Sequence, residues 1–126
     1  MVVKHIRKAN TMTINESNVT IMVREMDAAI AFYEAIGLRL KQRWENHYAM
    51  METAGVTIGL HPSDSLAVPS ESISIGFMID DIGEAKTLLT SLDIPFRFDD
   101  GKSGLYIHFH DPDGTKLYFT QPGWVR

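Results

Sequence analysis

The chain has 126 residues, 44% of them hydrophobic and 22% charged, with a formal net charge of -4, which suits one ordinary globular domain rather than a disordered chain. No basic stripe and no run of roughly 20 apolar residues occurs, so we expect neither nucleic-acid nor membrane partners and predict a cytoplasmic protein. Because cysteine is absent, disulfides, thiolate nucleophiles and cysteine-based metal sites are excluded.

The first segment, residues 1 to 15, matches no other part of the chain. Two interpretations of it stay open, a loose extension or an added edge strand. We expect residues 16 to 126 to form a single domain.

An internal repeat relates residues 19 to 40 to the segment of residues 73 to 96, in which positions 75 to 96 are the equivalent ones. A constant shift of 56 residues takes apolar positions to apolar positions and carries Glu25 to Asp81. Each copy begins with the alternation of a strand and then changes to the apolar spacing of a helix. The acidic residues stand at the junction, where they are predicted to cap the helix.

Three further strand-like runs follow each helical segment, separated by Gly, Asn and Asp-Pro turn signals. The sequence therefore predicts an α+β protein built from two βαβββ modules, at about residues 16 to 62 and 72 to 122. The polar segment 63 to 72, which carries Pro69, is predicted to link them.

Two motifs accompany this pattern: FYEAIGL at residues 32 to 38 and HDPDGTKLYF at residues 110 to 119. Together with the paired modules, they make the chain closely resemble the vicinal oxygen chelate superfamily of glyoxalases, bleomycin-resistance proteins and ring-cleaving dioxygenases. The resemblance implies one curved mixed sheet with the helices on its convex face and a ligand cleft on its concave face. It also implies a homodimer.

The resemblance further implies where a metal would bind, because metal-using members of the superfamily place His or Glu at four equivalent strand positions. Those positions carry Asn18, Gly59, Ser74 and Tyr118 in this chain. None is a good ligand for a divalent ion, so we expect no metal and no other cofactor. A displaced site remains open as an alternative, built from His61, His108 and His110.

Strand parity predicts which side chains line the cleft, since alternate residues share a face. The candidate ligand-binding residues on that face are Asn18, Met22, His61, Ser74, Met78, Tyr106, His108, His110 and Tyr118. Asp111 and Asp113, by contrast, flank Pro112 and are interpreted as turn residues.

Two functional hypotheses follow. The first is a protein similar to the metal-free bleomycin-resistance branch, which binds a small organic molecule in its cleft. The alternative is an enzyme, either a glyoxalase-like lyase or isomerase or a dioxygenase-type enzyme with a rearranged metal site, or a catalyst using His and Tyr as acid and base. The vacant metal positions favour binding.

Overall fold

A computed structural model describes residues 14–64 and 73–123. Nearly all of the predicted N-terminal extension lies outside these residues, and so does most of the predicted linker. The described part contains two modules with the same order of elements, which confirms the predicted α+β fold.

The first module runs from Val19 to Pro62 and has a strand, a helix and three strands. Its elements are β1 (Val19–Val23), α1 (Met26–Ala35), β2 (Arg39–Trp44), β3 (Tyr48–Thr53) and β4 (Val56–Pro62).

The second module repeats this order from Ile75 to Pro122. Its elements are β5 (Ile75–Met78), α2 (Ile82–Ser91), β6 (Arg97–Gly101), β7 (Gly104–His110) and β8 (Lys116–Pro122).

Each module forms a four-stranded mixed sheet, in the order β1-β4-β3-β2 and β5-β8-β7-β6. The first strand of each module pairs in parallel with the last, and the remaining pairs are antiparallel. Within the described ranges no strand pairing joins the two sheets. The predicted sheet therefore consists of two four-stranded sheets, one from each module.

The alternation along the strands follows the predicted division of faces. In β4 and β7, Ile58, Leu60, Ile107 and Phe109 are buried and face the helices, because apolar surface is removed from water there. His108, which lies between Ile107 and Phe109, remains partly exposed, whereas Gly59, between Ile58 and Leu60, lies beneath the Tyr48 ring. The open face of each sheet is therefore the face predicted to carry the ligand.

The helix termini follow the repeat closely. Asp81 caps α2 by accepting a 2.8 Å hydrogen bond from the backbone N–H of Gly83, as predicted. Glu25 occupies the equivalent N-cap of α1 but makes no side-chain capping bond. After α1, Gly37 adopts φ +115°, and Asp93 stands at the equivalent position after α2 with φ 57°.

The two modules meet at the segments that carry the two motifs. The Tyr33 hydroxyl on α1 donates a buried 2.7 Å hydrogen bond to Asp111 in the β7–β8 turn. Nearby, the Phe32 and Phe109 rings lie with centroids 6.4 Å apart, and Arg24 forms a 3.1 Å ion pair with Asp113. The motifs therefore fix the position of the turn that leads into β8.

The helices of the described part, α1 and α2, are both too short to cross a membrane.

Candidate functional site

The main candidate site is a pocket of about 430 Å³ on the open face of the second sheet. It brings together five of the predicted ligand-binding residues: Ser74, Tyr106, His108, His110 and Tyr118. The wall is completed by Ile73, Arg97, Phe109, Lys116 and Leu117.

Strand register explains why these side chains meet. Gly76 pairs with Tyr118, Tyr118 with His108, and His108 with Arg97. These four residues form one row across β5, β8, β7 and β6, and paired residues point to the same face. His110 pairs in turn with Lys116, which places a second basic group in the next row.

Gly76 makes room for the Tyr118 ring. A Cβ atom at Gly76 would lie within clash distance of Cζ and Oη of Tyr118. The tyrosine ring therefore lies across the glycine on β5. A larger residue at this position would move the ring.

Three rings form the aromatic part of the pocket, each about 6 Å from the other two. Tyr106 and His108 are stacked at 6.1 Å and 15°. Tyr118 is tilted against both, with centroid distances of 6.2 Å to Tyr106 and 6.1 Å to His108. Such rings offer apolar faces to a planar ligand.

Two basic side chains, those of Arg97 and Lys116, lie on the pocket wall. Partial burial lowers the pKa of His108, and the charge of Arg97 lowers it further, while Asp99 acts in the opposite direction. His108 is therefore mainly neutral at pH 7. A neutral imidazole can accept a hydrogen bond at one nitrogen and donate one at the other.

Arg97 was not among the predicted site residues. The signal that could have found it is the tight hairpin in which Gly101 pairs with Gly104. Counting back from this turn places Arg97 opposite His108, on the pocket face.

The first module has a closed polar cluster where the second module has the pocket. The Tyr48 hydroxyl accepts a 2.9 Å hydrogen bond from Asn18 and lies 3.1 Å from Oγ1 of Thr20. The Tyr48 ring covers Gly59, where an added Cβ atom would collide with it. Asn18 also borders a smaller space of about 200 Å³ with Met50.

The remaining predicted residues lie away from the pocket wall. Met22 and Met78 are exposed on β1 and β5, at 45% and 64% of their surface. Nδ1 of His61 lies 2.8 Å from the backbone carbonyl of Pro62, on the first sheet. The structure therefore separates these three residues from the group around His108.

The four metal positions implied by the superfamily do not fit a divalent ion. Gly59 has no side chain and lies beneath Tyr48, and the Asn18 amide bonds to Tyr48 and Thr20. Tyr118 supplies a phenol that lies over Gly76. Carboxylate and imidazole ligands are absent from these positions.

The displaced metal site is not assembled either. Across residues 14–64 and 73–123, no group of three or more His, Asp or Glu side chains is placed to hold an ion. His61 belongs to the sheet of the first module, whereas His108 and His110 belong to that of the second.

Solved structures with a similar fold come from several kinds of protein. A fosfomycin resistance protein from Listeria monocytogenes has a TM-score of 0.75 at 18% identity, with coverage of 90% of this chain and 94% of its own. Lactoylglutathione lyase from Agrobacterium tumefaciens gives 0.69 at 17%, covering 88% and 96%. A bleomycin-binding protein complexed with bleomycin gives 0.66 at 20%, covering 86% and 98%. No curated protein sequence matches this chain.

Sequence comparison with known families covers nearly the whole chain. Residues 16–119 match the family described as Glyoxalase/Bleomycin resistance protein/Dioxygenase superfamily. The match includes both motifs and all of the two modules except the last three residues of β8. The chain therefore belongs to the glyoxalase/bleomycin resistance protein/dioxygenase superfamily.

Proposed function

We propose that the protein binds a small organic molecule in the pocket of its second module, without the participation of a metal ion. The observation that carries this proposal is the convergence of three rings and several polar side chains on one space of about 430 Å³. Ligand pockets commonly measure about 300 to 1,000 Å³ and combine apolar walls with a few polar groups.

Different residues of the pocket wall would contact different parts of the ligand. Tyr106 and Tyr118 offer ring faces to an apolar or aromatic body. Ser74, His108 and His110 supply hydrogen-bonding groups at the edge of those rings. The bleomycin-binding protein, whose structure contains bleomycin, gives a precedent for binding a ligand on this fold.

We also propose that the protein is a cytoplasmic homodimer. Large apolar side chains remain exposed on the open faces, including Met22 at 45% and Met78 at 64%. Contact with a second copy would remove such surface from water. Sedimentation velocity tests this part, and a monomer at all concentrations would contradict it.

A thermal-shift screen tests the binding proposal. Aromatic and amphipathic compounds are screened with a chelator present, and hits are titrated by calorimetry. Because Tyr118 supplies one wall, Tyr118→Ala is expected to raise the dissociation constant about tenfold or more.

The matched control is Trp44→Ala, which removes an exposed ring from the first module. Its affinity for the hits should equal that of the wild type. Hits that bind equally well to Tyr118→Ala would place the ligand site elsewhere.

A second candidate function is acid–base catalysis in the same pocket. The observation that favours it is the lowered pKa of His108, caused by burial and by Arg97, because a neutral imidazole can take a proton. Mass spectrometry of the recovered ligand distinguishes the two functions. Binding alone returns the compound unchanged, whereas catalysis converts it in the wild type and not in His108→Gln.

A further inference from the structure

None of the described residues that line the pocket is an Asp or a Glu. Arg97 and Lys116 lie on its wall together with two histidines. The acid that acts on His108 is Asp99. Asp99 pairs with Tyr106, one row away from the pair formed by Arg97 and His108.

Arg97 also differs from the other arginines that the structure describes. Arg24, Arg39 and Arg43 each form an ion pair with a carboxylate. Arg97 forms no ion pair with any residue in the ranges 14–64 and 73–123. A guanidinium in this setting is suited to bind a carboxylate or phosphate through two parallel hydrogen bonds.

The position of Arg97 relates this charge to the aromatic wall. Arg97 on β6 pairs with His108 on β7. Lys116 on β8 pairs with His110, also on β7. The two cations therefore stand on the strands that flank β7. A ligand body lying against Tyr106 and Tyr118 would have a cation on either side of the central strand.

We propose that the ligand is an organic anion, with an aromatic or apolar body and a carboxylate or phosphate head group that binds to Arg97. This inference rests on the proposed function and specifies its ligand class. The body contacts the three rings, and Lys116 adds attraction without fixed geometry.

Calorimetry with matched probes tests the inference. The probes share a naphthalene body: 2-naphthoate, 2-naphthyl phosphate, neutral 2-naphthamide and cationic 2-naphthylmethylammonium. In a buffer without phosphate, at least one anion is expected to bind about tenfold more tightly than the amide, as for a charge-assisted hydrogen bond. The tighter of the two anions identifies the head group.

Arg97→Gln is expected to remove most of that preference while changing the amide affinity less than about twofold. The matched control is Lys102→Gln, which removes one positive charge from the exposed β6–β7 turn, away from the pocket wall. This control should retain the preference for the anion over the amide. In the wild type, that preference should weaken as sodium chloride screens the charges.

The outcomes separate the two proposals. If the amide or the cation binds as tightly as both anions and Tyr118→Ala weakens that binding, the anion inference is overturned and the pocket remains the site. If Arg97→Gln and Lys102→Gln lower anion affinity equally, Arg97 is not the anion group and the inference is overturned. If none of the four probes binds although the hits of the thermal-shift screen require Tyr118, the anion inference is overturned and the proposed function stands.

Discussion

The hydroxyl of Tyr33 donates a 2.7 Å hydrogen bond to Oδ2 of Asp111, and this bond joins the two halves of the protein. Oδ1 of the same carboxylate accepts bonds from the backbone N–H groups of Asp113 and Thr115. Asp111 is only 5% exposed, so its oxygens depend on these donors rather than on water. The turn that begins β8 is therefore fixed to α1.

Removal of the Tyr33 hydroxyl is expected to destabilise the protein. Burial and the negative charge of Asp111 raise the pKa of this hydroxyl, so it remains a donor at neutral pH. Tyr33→Phe keeps the ring but leaves Oδ2 without that donor, which should lower the free energy of unfolding by about 1 to 3 kcal/mol. Urea denaturation measures the change.

The control for this prediction is Tyr118→Phe, which removes a hydroxyl from the partly exposed pocket wall. Its stability should stay within about 0.5 kcal/mol of the wild type. Equal effects of the two substitutions would show that the bond to Asp111 adds nothing specific.

Two glycines lie beneath tyrosine rings, and replacing each with alanine should have different effects on stability and ligand binding. Gly59→Ala would displace Tyr48 from its hydrogen bonds with Asn18 and Thr20, at a cost of about 1 to 3 kcal/mol. Gly76→Ala would displace Tyr118, whose ring can turn into the open pocket. The second variant should be nearly as stable as the wild type but weaker in ligand binding.

Thermal denaturation and calorimetric titration of the two variants check this contrast. A large loss of stability in Gly76→Ala with unchanged affinity would show that Tyr118 supports the fold rather than the ligand.

Binding of an organic anion should strengthen as the pH falls. Burial, followed by Arg97, holds the pKa of free His108 below its usual 6.5, and a bound anion would raise it, so binding takes up a proton. Asp99 opposes the lowering, and Lys116 and His110 also face this region. Affinity for 2-naphthalenesulfonate, which stays ionised, should rise between about pH 7.5 and 5.5.

His108→Gln should reduce this pH dependence, whereas His47→Gln, in the exposed β2–β3 turn, should leave it intact. In the absence of ligand, the lowered pKa of His108 makes the folded protein less stable as the pH falls. The reason is that the unfolded chain takes up the proton at a higher pH than the folded protein, so the free energy of unfolding decreases. An affinity that is flat with pH would exclude contact between His108 and the anion.

Metal removal should leave the protein unchanged. Asn18, Gly59, Ser74 and Tyr118 do not provide a ligand set, so protein purified without added metal should contain far less than one equivalent of zinc, nickel, iron or manganese. Treatment with a chelator should leave the melting temperature and the ligand affinity unaltered. A stoichiometric ion that is lost in His108→Ala or His110→Ala would overturn this prediction.

The fold could be predicted from the sequence because its signals are local and repeated. Strand alternation and helical spacing occur twice at a constant shift, and even the helix ends agree, with Gly37 matched by Asp93 in the left-handed region. Such patterns record which face of each element is buried. They also placed His108 and Tyr118 correctly on the open face.

The parts of the site that could not be predicted depend on contacts across strands. Tyr48 closes the first module only because its ring reaches over Gly59 to Asn18, and parity does not report the direction in which a ring leans. Arg97 was missed because its place opposite His108 follows from the register of the β6–β7 hairpin and not from the alternation within one strand. The bond from Tyr33 to Asp111 joins residues 78 positions apart, beyond the reach of any local pattern.

An NMR titration in the presence of a chelator shows whether the pocket of the second module binds a small organic molecule without metal. Increasing amounts of the tightest compound from the thermal-shift screen are added to isotopically labelled protein. Saturable shifts are expected in the signals of Tyr106, His108 and Tyr118, with those of Asn18 and Tyr48 unchanged. Shifts centred on Asn18 and Tyr48, or shifts that appear only when a metal ion is supplied, would contradict metal-free binding in this pocket.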